Sequence, residues 1–224
     1  MKWTQITGMS GITLCLTFFA FSCRVADQKT DATDYTAYVD PYIGTGGHGH
    51  VFVGANVPFG AVQAGPQNIH KGWDWCSGYH YSDSVLIGFS HTHLSGTGCA
   101  DLGDVLLMPF TGALRTARGE QENIEGSCAS YYTHAAEKVS PGYYALRMNN
   151  GIAVELTATS RVAMHRYVFP AEEKERHLLI DLKEGNGDRA SDTYLKQIDE
   201  YTVEGHRFSK GWSPEHKVFF ILRT

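Results

Sequence analysis

Between Trp73 and Asp104 the chain reads WDWCSGYHYSDSVLIGFSHTHLSGTGCADLGD, its densest run of side chains able to do chemistry. Trp73, Asp74, Trp75 and Cys76 stand in a row. His80, His91 and His93 follow, and then the small residues Ser95, Gly96, Thr97 and Gly98. Flat rings, short carboxylates and imidazoles together suit a sugar-binding cleft. An aromatic ring stacks on the apolar C–H face of a pyranose, and the polar groups take its hydroxyls.

Other chemistries are open to the same residues and fit them less well. His91 and His93, two apart on a strand, would point to one face and could grip zinc with the pair His48 and His50. No Cys or carboxylate spacing completes a zinc pattern, however, and hydrogen-bonding loop histidines are the simpler reading. Cys76 near His80 suggests a thiol nucleophile, but no third, orienting group is identifiable. The carboxylates Asp74, Asp83, Asp101 and Asp104 each sit beside Gly, Ser or a strand end, where turn and cap chemistry is expected. Gly44-Thr45-Gly46-Gly47-His48-Gly49 has the spacing G-x-G-x-x-G, yet Asp40-Pro41 precedes it rather than an apolar strand, and Val51-Phe52-Val53-Gly54 opens no helix. A dinucleotide site is therefore rejected.

The elements that must position these residues read as strands. Val85–Phe89 and Val105–Phe110 are apolar runs of strand length on either side of the HTHLSGTG loop. Residues 120–137 are polar and predict a short helix or a long excursion. Val154, Leu156 and Ala158 share one face of a strand, and Ala163, His165, Tyr167 and Phe169 share one side of the next, with a turn at Thr159-Ser160-Arg161, so the two form a hairpin. Further strands are expected over His177–Leu182, Tyr201–Phe208 and Lys217–Arg223, with Gly185-Asn186-Gly187-Asp188 as a turn. This pattern predicts an all-β fold, an antiparallel β-sandwich.

With 224 residues, 42% of them apolar, the chain can bury a full core as one domain. A net charge of −5 gives no electrostatic reason to expect nucleic acid. At the N-terminus, Lys2 precedes an apolar run from Ile12 to Phe21, and Ala20-Phe21-Ser22-Cys23 is similar to a bacterial lipobox. Residues 1–23 are read as a lipoprotein-type signal peptide with Cys23 lipidated, or as an ordinary cleaved signal in which Cys23 is incidental. Residues 24–37 follow as a flexible linker, and 38–224 as the sandwich. These features predict an exported protein, a periplasmic or cell-surface lipoprotein of a Gram-negative bacterium that meets the membrane only through its lipid anchor. Cys76, Cys99 and Cys128 are odd in number, so at most one bridge could form. A Cys76–Cys99 bridge and a buried Cys76 thiol both stay open.

The blocks WDWCSGYHYSDS, IGFSHTHLSGTG and DLGDVLLMPFTG, with VDPYIGTGGHGHVFVGANVPFGAVQ upstream, resemble the N-terminal domain of glycoside hydrolase family 92, the bacterial exo-acting α-mannosidases. The resemblance implies a β-sandwich joined in the family to a larger helical barrel domain, of which nothing is recognisable here. It implies an inverting, Ca²⁺-dependent hydrolysis of mannose-containing glycans (N-glycans or mannans), whose acid, base and most calcium ligands lie in the helical domain. No catalytic residue is assigned on this chain. Mapped block by block, the substrate-binding residues would be Trp73, Asp74, Trp75, Cys76, His80, His91 and His93, with Trp75 or Trp73 stacked on the sugar. The chain stops within an expected core strand, so an incomplete N-terminal domain, inactive alone, is the expectation. The alternative is a stand-alone mannoside-binding surface module.

Overall fold

In the computed structural model residues 33–120 and 123–224 are described, so the signal-type segment with Cys23, and the linker as far as residue 32, lie outside the described residues. Every strand pairing among them is antiparallel. The first sheet runs in the order β1 (Ala55–Asn56), β2 (Gln63–Gln67), β4 (Gly88–Ser90), β5 (Leu106–Thr111) and β11 (Arg176–Asp181). The second is β10 (Ala163–Val168), β9 (Ala153–Ala158), β8 (Tyr143–Arg147) and β7 (Glu137–Ser140). The two pack face to face. Val53, Ala55, Ala64, Phe89, Met108 and Phe110 from one side meet Tyr144, Leu146, Val154 and Leu156 from the other in one buried core. The antiparallel sandwich expected from the strand pattern is the observed fold.

Alternation builds the second sheet. In β9, Val154 and Leu156 are 1% exposed while Thr157 between β-faces is exposed. Full burial of each such side chain stabilises by roughly 1.5–3 kcal/mol. The hairpin with β10 forms as the pattern predicts, with Ala158 opposite Ala163 and the turn closed by Thr159 N donating to Val162 O. By contrast β5 is buried along nearly its whole length, which explains its unbroken apolar run.

One expectation needs correction, and one open alternative is resolved as an excursion. The run Val85–Phe89 is not one strand. Its backbone turns at Gly88 (φ 151°), which splits it into β3 (Val85–Leu86), paired with β6 (Ser130–Tyr131), and β4, paired with β2 and β5. Over the described part of 120–137 the chain makes an excursion, with β6 and a single 3₁₀ turn at His134–Ala136.

A third sheet, β12 (Ala190–Gln197), β13 (Thr202–Ser209) and β14 (His216–Arg223), stands apart in its surface. Phe219 and Ile221 are 71% and 75% exposed, and Tyr194 and Leu195 are exposed too. From β13 the long side chain of Arg207 reaches inward to full burial. It forms ion pairs with Asp104 at 2.7 Å and Asp188 at 3.0 Å, and so fixes the loops beside the candidate site.

Candidate functional site

Trp73-Asp74-Trp75 forms a single 3₁₀ turn. It is held shut by Trp75 N donating to Gly72 O and Cys76 N donating to Trp73 O. A residue far along the chain clamps it from behind: Asn186 Nδ2 donates to Trp75 O at 3.1 Å and to Cys76 O at 2.7 Å. A turn this short carries several backbone carbonyls with no partner of their own, and the buried Asn186 amide supplies it.

The turn sends its two indoles different ways. Trp73 is 58% exposed, and its Nε1 donates to Gly98 O at 2.9 Å. A Cβ at position 98 would lie 2.8 Å from that nitrogen, so the loop needs glycine there for the indole to lie close. His50 packs edge-on against the ring at 4.3 Å, and His48 tilts over it at 5.3 Å. Trp75 is half-buried. Its Nε1 donates to Asp83 Oδ2 at 2.8 Å, its ring stacks on His80 at 4.4 Å, and the Lys71 ammonium lies over it. Of the two, Trp73 therefore offers the more exposed ring, and Trp75 supports the turn.

Asp74 lies beside Trp73 with its carboxylate partly exposed. His48 Nδ1 stands 2.7 Å and His50 Nε2 3.3 Å from its Oδ1. The hydrogen bond from His48 is the main reason the Asp74 carboxyl is held below the usual aspartate range; desolvation opposes it, and a weaker hydrogen bond from His50 adds to the lowering. A depressed carboxyl stays ionised at any ordinary pH and is lost as an acceptor only as pH falls through its lowered value. Replacing His48 with alanine is expected to raise the Asp74 pKa toward 3.8, the ordinary value. A ¹³C-carboxyl NMR titration checks this, and an unmoved midpoint would remove His48 as the cause.

The remaining candidates face inward. Cys76 is buried, its thiol donating to Thr97 O at 2.8 Å, and burial pushes its pKa up. Cys76, Cys99 and Cys128 are all free thiols. His93 Nδ1 meets Ser77 O and its Nε2 meets Ser90 Oγ, and desolvation pulls its pKa down to about 4. His91 Nδ1 meets Val105 O, its ring stacks on His165, and burial lowers its pKa too. These two imidazoles are not turned to one open face as a zinc pair requires. His80 is buried and spans Ser82 and Gly47. The HTH loop and Cys76 thus form a scaffold beneath the exposed corner.

The other tempting carboxylates are occupied. Asp83 caps Ser84 N and Val85 N and pairs with Lys71. Asp101 accepts from Leu102 N and Trp212 N. Asp104 accepts from Thr92, Arg207 and His216. Calcium asks for roughly six to eight oxygen ligands. Among the described residues no three His, Cys, Asp or Glu side chains gather as such a site, and the one surface carboxylate of the corner already binds two imidazoles.

What the sequence reading did not assign to the corner is the role of His48, His50 and Asn186. The two histidines stand in the Gly44–Gly49 region, whose φ of 81° at Gly44 and 57° at Gly47 folds it back on itself, with no helix following. Only their spacing from glycines hinted at a ligand-side loop.

The described residues thus form an antiparallel sandwich that presents an exposed indole beside a carboxylate at one corner. The chain belongs to glycosyl hydrolase family 92: the model of that family's N-terminal domain matches residues 38–224. A family GH92 α-mannosidase from Bacteroides thetaiotaomicron, solved with mannoimidazole, is 38% identical with a TM-score of 0.80 over 83% of this chain and 24% of its own. A GH92 inverting mannosidase from B. thetaiotaomicron VPI-5482 is 26% identical, with a TM-score of 0.66 over 84% of this chain and 24% of its own. An uncharacterized secreted glycosidase from Arthroderma benhamiae is 33% identical over 75% of this chain. The chain spans about a quarter of the length of these relatives. No helix among the described residues is long and apolar enough to cross a membrane.

Proposed function

We propose that this domain is the sugar-contacting wall of an exo-acting, inverting α-mannosidase that trims mannose-containing glycans, N-glycans or mannans, with Ca²⁺. The observation that carries the reading is the exposed Trp73 face beside the ionised Asp74, on a chain whose solved relatives include mannosidases. Trp73 stacks on the apolar face of a mannose ring, Asp74 accepts a hydroxyl hydrogen, and His48 holds that carboxylate ionised and in place. Inverting hydrolysis needs an acid and a base on opposite sides of the scissile bond. The carboxylates around this corner are committed to caps and ion pairs, so the acid and base come from chain beyond this domain, and so do most calcium ligands. Bound calcium would polarise sugar hydroxyls.

The apolar face of β12–β14, with Phe219 and Ile221, is where that further chain would pack. The chain by itself binds and does not cleave. Export rests on the signal-type segment and on the secreted relative, and a lipid anchor at Cys23 on the lipobox-like run alone. One alternative is a stand-alone mannoside-binding surface module, because the exposed Trp73 ring can meet a sugar by itself. Reading the DNA downstream of the Thr224 codon separates the two, since only the enzyme reading requires a helical domain there.

The test is a calorimetric titration of the chain with methyl α-mannoside, alongside an assay for mannose release. Wild type is expected to bind without releasing mannose. Trp73→Ala is expected to weaken binding about tenfold or more, as loss of a central aromatic anchor does. It should leave stability within about 0.5 kcal/mol, since the ring is largely in solvent. Unchanged affinity in Trp73→Ala would remove the site assignment.

A further inference from the structure

Trp212 is the other freely exposed indole among the described residues, at 67%. It lies in the connection between β13 and β14, in a turn closed by Gly211 N donating to Ser213 O. Its backbone is tied down by a buried group: Trp212 N donates to Asp101 Oδ2 at 2.7 Å, and Asp101 is only 4% exposed. A Cβ on residue 211 would stand 2.5 Å from Asp101 Oδ1, so the turn can seat on that carboxylate only with glycine there. His216, at the start of β14, is fixed on Asp104 Oδ2 at 2.9 Å, which anchors the other end of the same connection.

Asp101 is three residues from Gly98, whose carbonyl accepts from the Trp73 indole. The Trp73 indole and the Trp212 backbone are thus held on one four-residue segment, and three residues of chain span roughly 10 Å at most. Large apolar rings left in solvent cost free energy, and fixing their backbone on a buried carboxylate preserves their positions for something that covers them.

We infer that Trp212 is the stacking platform for a second sugar ring, the one linked to the mannose held at Trp73. The inference rests on the mannoside reading of the Trp73 corner. Trp73 and Asp74 then recognise the terminal residue, and Trp212 discriminates longer α-mannosides from a monosaccharide.

The chain has four tryptophans, and ¹⁵N labelling gives each indole N–H its own resonance. Titration with methyl α-mannoside is expected to shift the Trp73 indole and leave Trp212 in place. An α-linked mannobiose is expected to shift both. In Trp212→Ala the affinity for the monosaccharide stays as in wild type, while that for mannobiose falls about threefold to tenfold, the range of one aromatic contact. Trp212→Phe recovers part of the loss. If mannobiose shifts Trp73 alone and Trp212→Ala binds it like wild type, the inference is overturned and the mannoside reading stands. If wild type binds neither sugar, the mannoside reading fails and this inference with it.

Discussion

Replacing Arg207 with alanine is expected to lower the folding free energy by about 3–5 kcal/mol, the range for breaking a buried ion pair from one side. Arg207 is fully buried. Its Nη1 donates to Asp104 Oδ1 at 2.7 Å, its Nη2 to Asp188 Oδ2 at 3.0 Å and its Nε to Leu182 O at 3.1 Å. Removing the guanidinium leaves Asp104, itself 0% exposed, with only His216 and Thr92. Urea unfolding should show a lower midpoint at an unchanged slope, since the surface exposed on unfolding is similar. The damage should reach the Trp73–Asp74 corner. Asp188 ends the turn that carries Asn186, and Asn186 clamps the Trp73–Trp75 turn from behind. A stability within about 0.5 kcal/mol of wild type would show that the pair does not organise these loops.

The second large effect is acid loss of stability through the scaffold histidines. His93 is pulled down to about 4 by desolvation, against an ordinary value near 6.5. His91 moves the same way for the same reason. Between those values the unfolded chain takes up a proton that the folded one refuses. Stability is therefore full above about pH 6.5 and falls as pH drops toward 4, by about 1.4 kcal/mol per pH unit for His93. The urea midpoint measured from pH 7.5 to 4.5 should fall accordingly, and His93→Gln, which removes the titration, should flatten the curve. A midpoint independent of pH above 4.5 would mean that His93 is not held neutral. The low-lying Asp74 carboxyl loses its proton well below this window, so it does not confuse the reading.

The fold was largely legible because alternation is a local property. Val154, Leu156 and Ala158 on one face, with Ala163, His165 and Tyr167 opposite, predict the hairpin without knowledge of anything else. The Val85–Phe89 run was misread for the same reason. Five apolar residues look like one strand, and only the glycine backbone at Gly88 divides them between two sheets. Less of the site was legible. Residue types singled out the Trp73–His93 stretch, but direction is a tertiary matter: Trp73 faces out and Trp75 is tied to Asp83, and no spacing distinguishes them. Arg207 meets Asp104, and Asn186 meets Cys76, across about a hundred residues, so neither partner is visible from its neighbours. Asn186 looked like an ordinary turn residue. Its amide turned out to be the clamp.

The most direct measurement is tryptophan footprinting by mass spectrometry, with and without methyl α-mannoside. Trp73 should be modified readily in the free chain and protected, saturably, by the mannoside and not by a β-galactoside at the same concentration. Trp75, half-buried behind it, should change little. A Trp73 modification rate that no mannoside alters, or that both sugars slow equally, would contradict the claim that this corner recognises mannose.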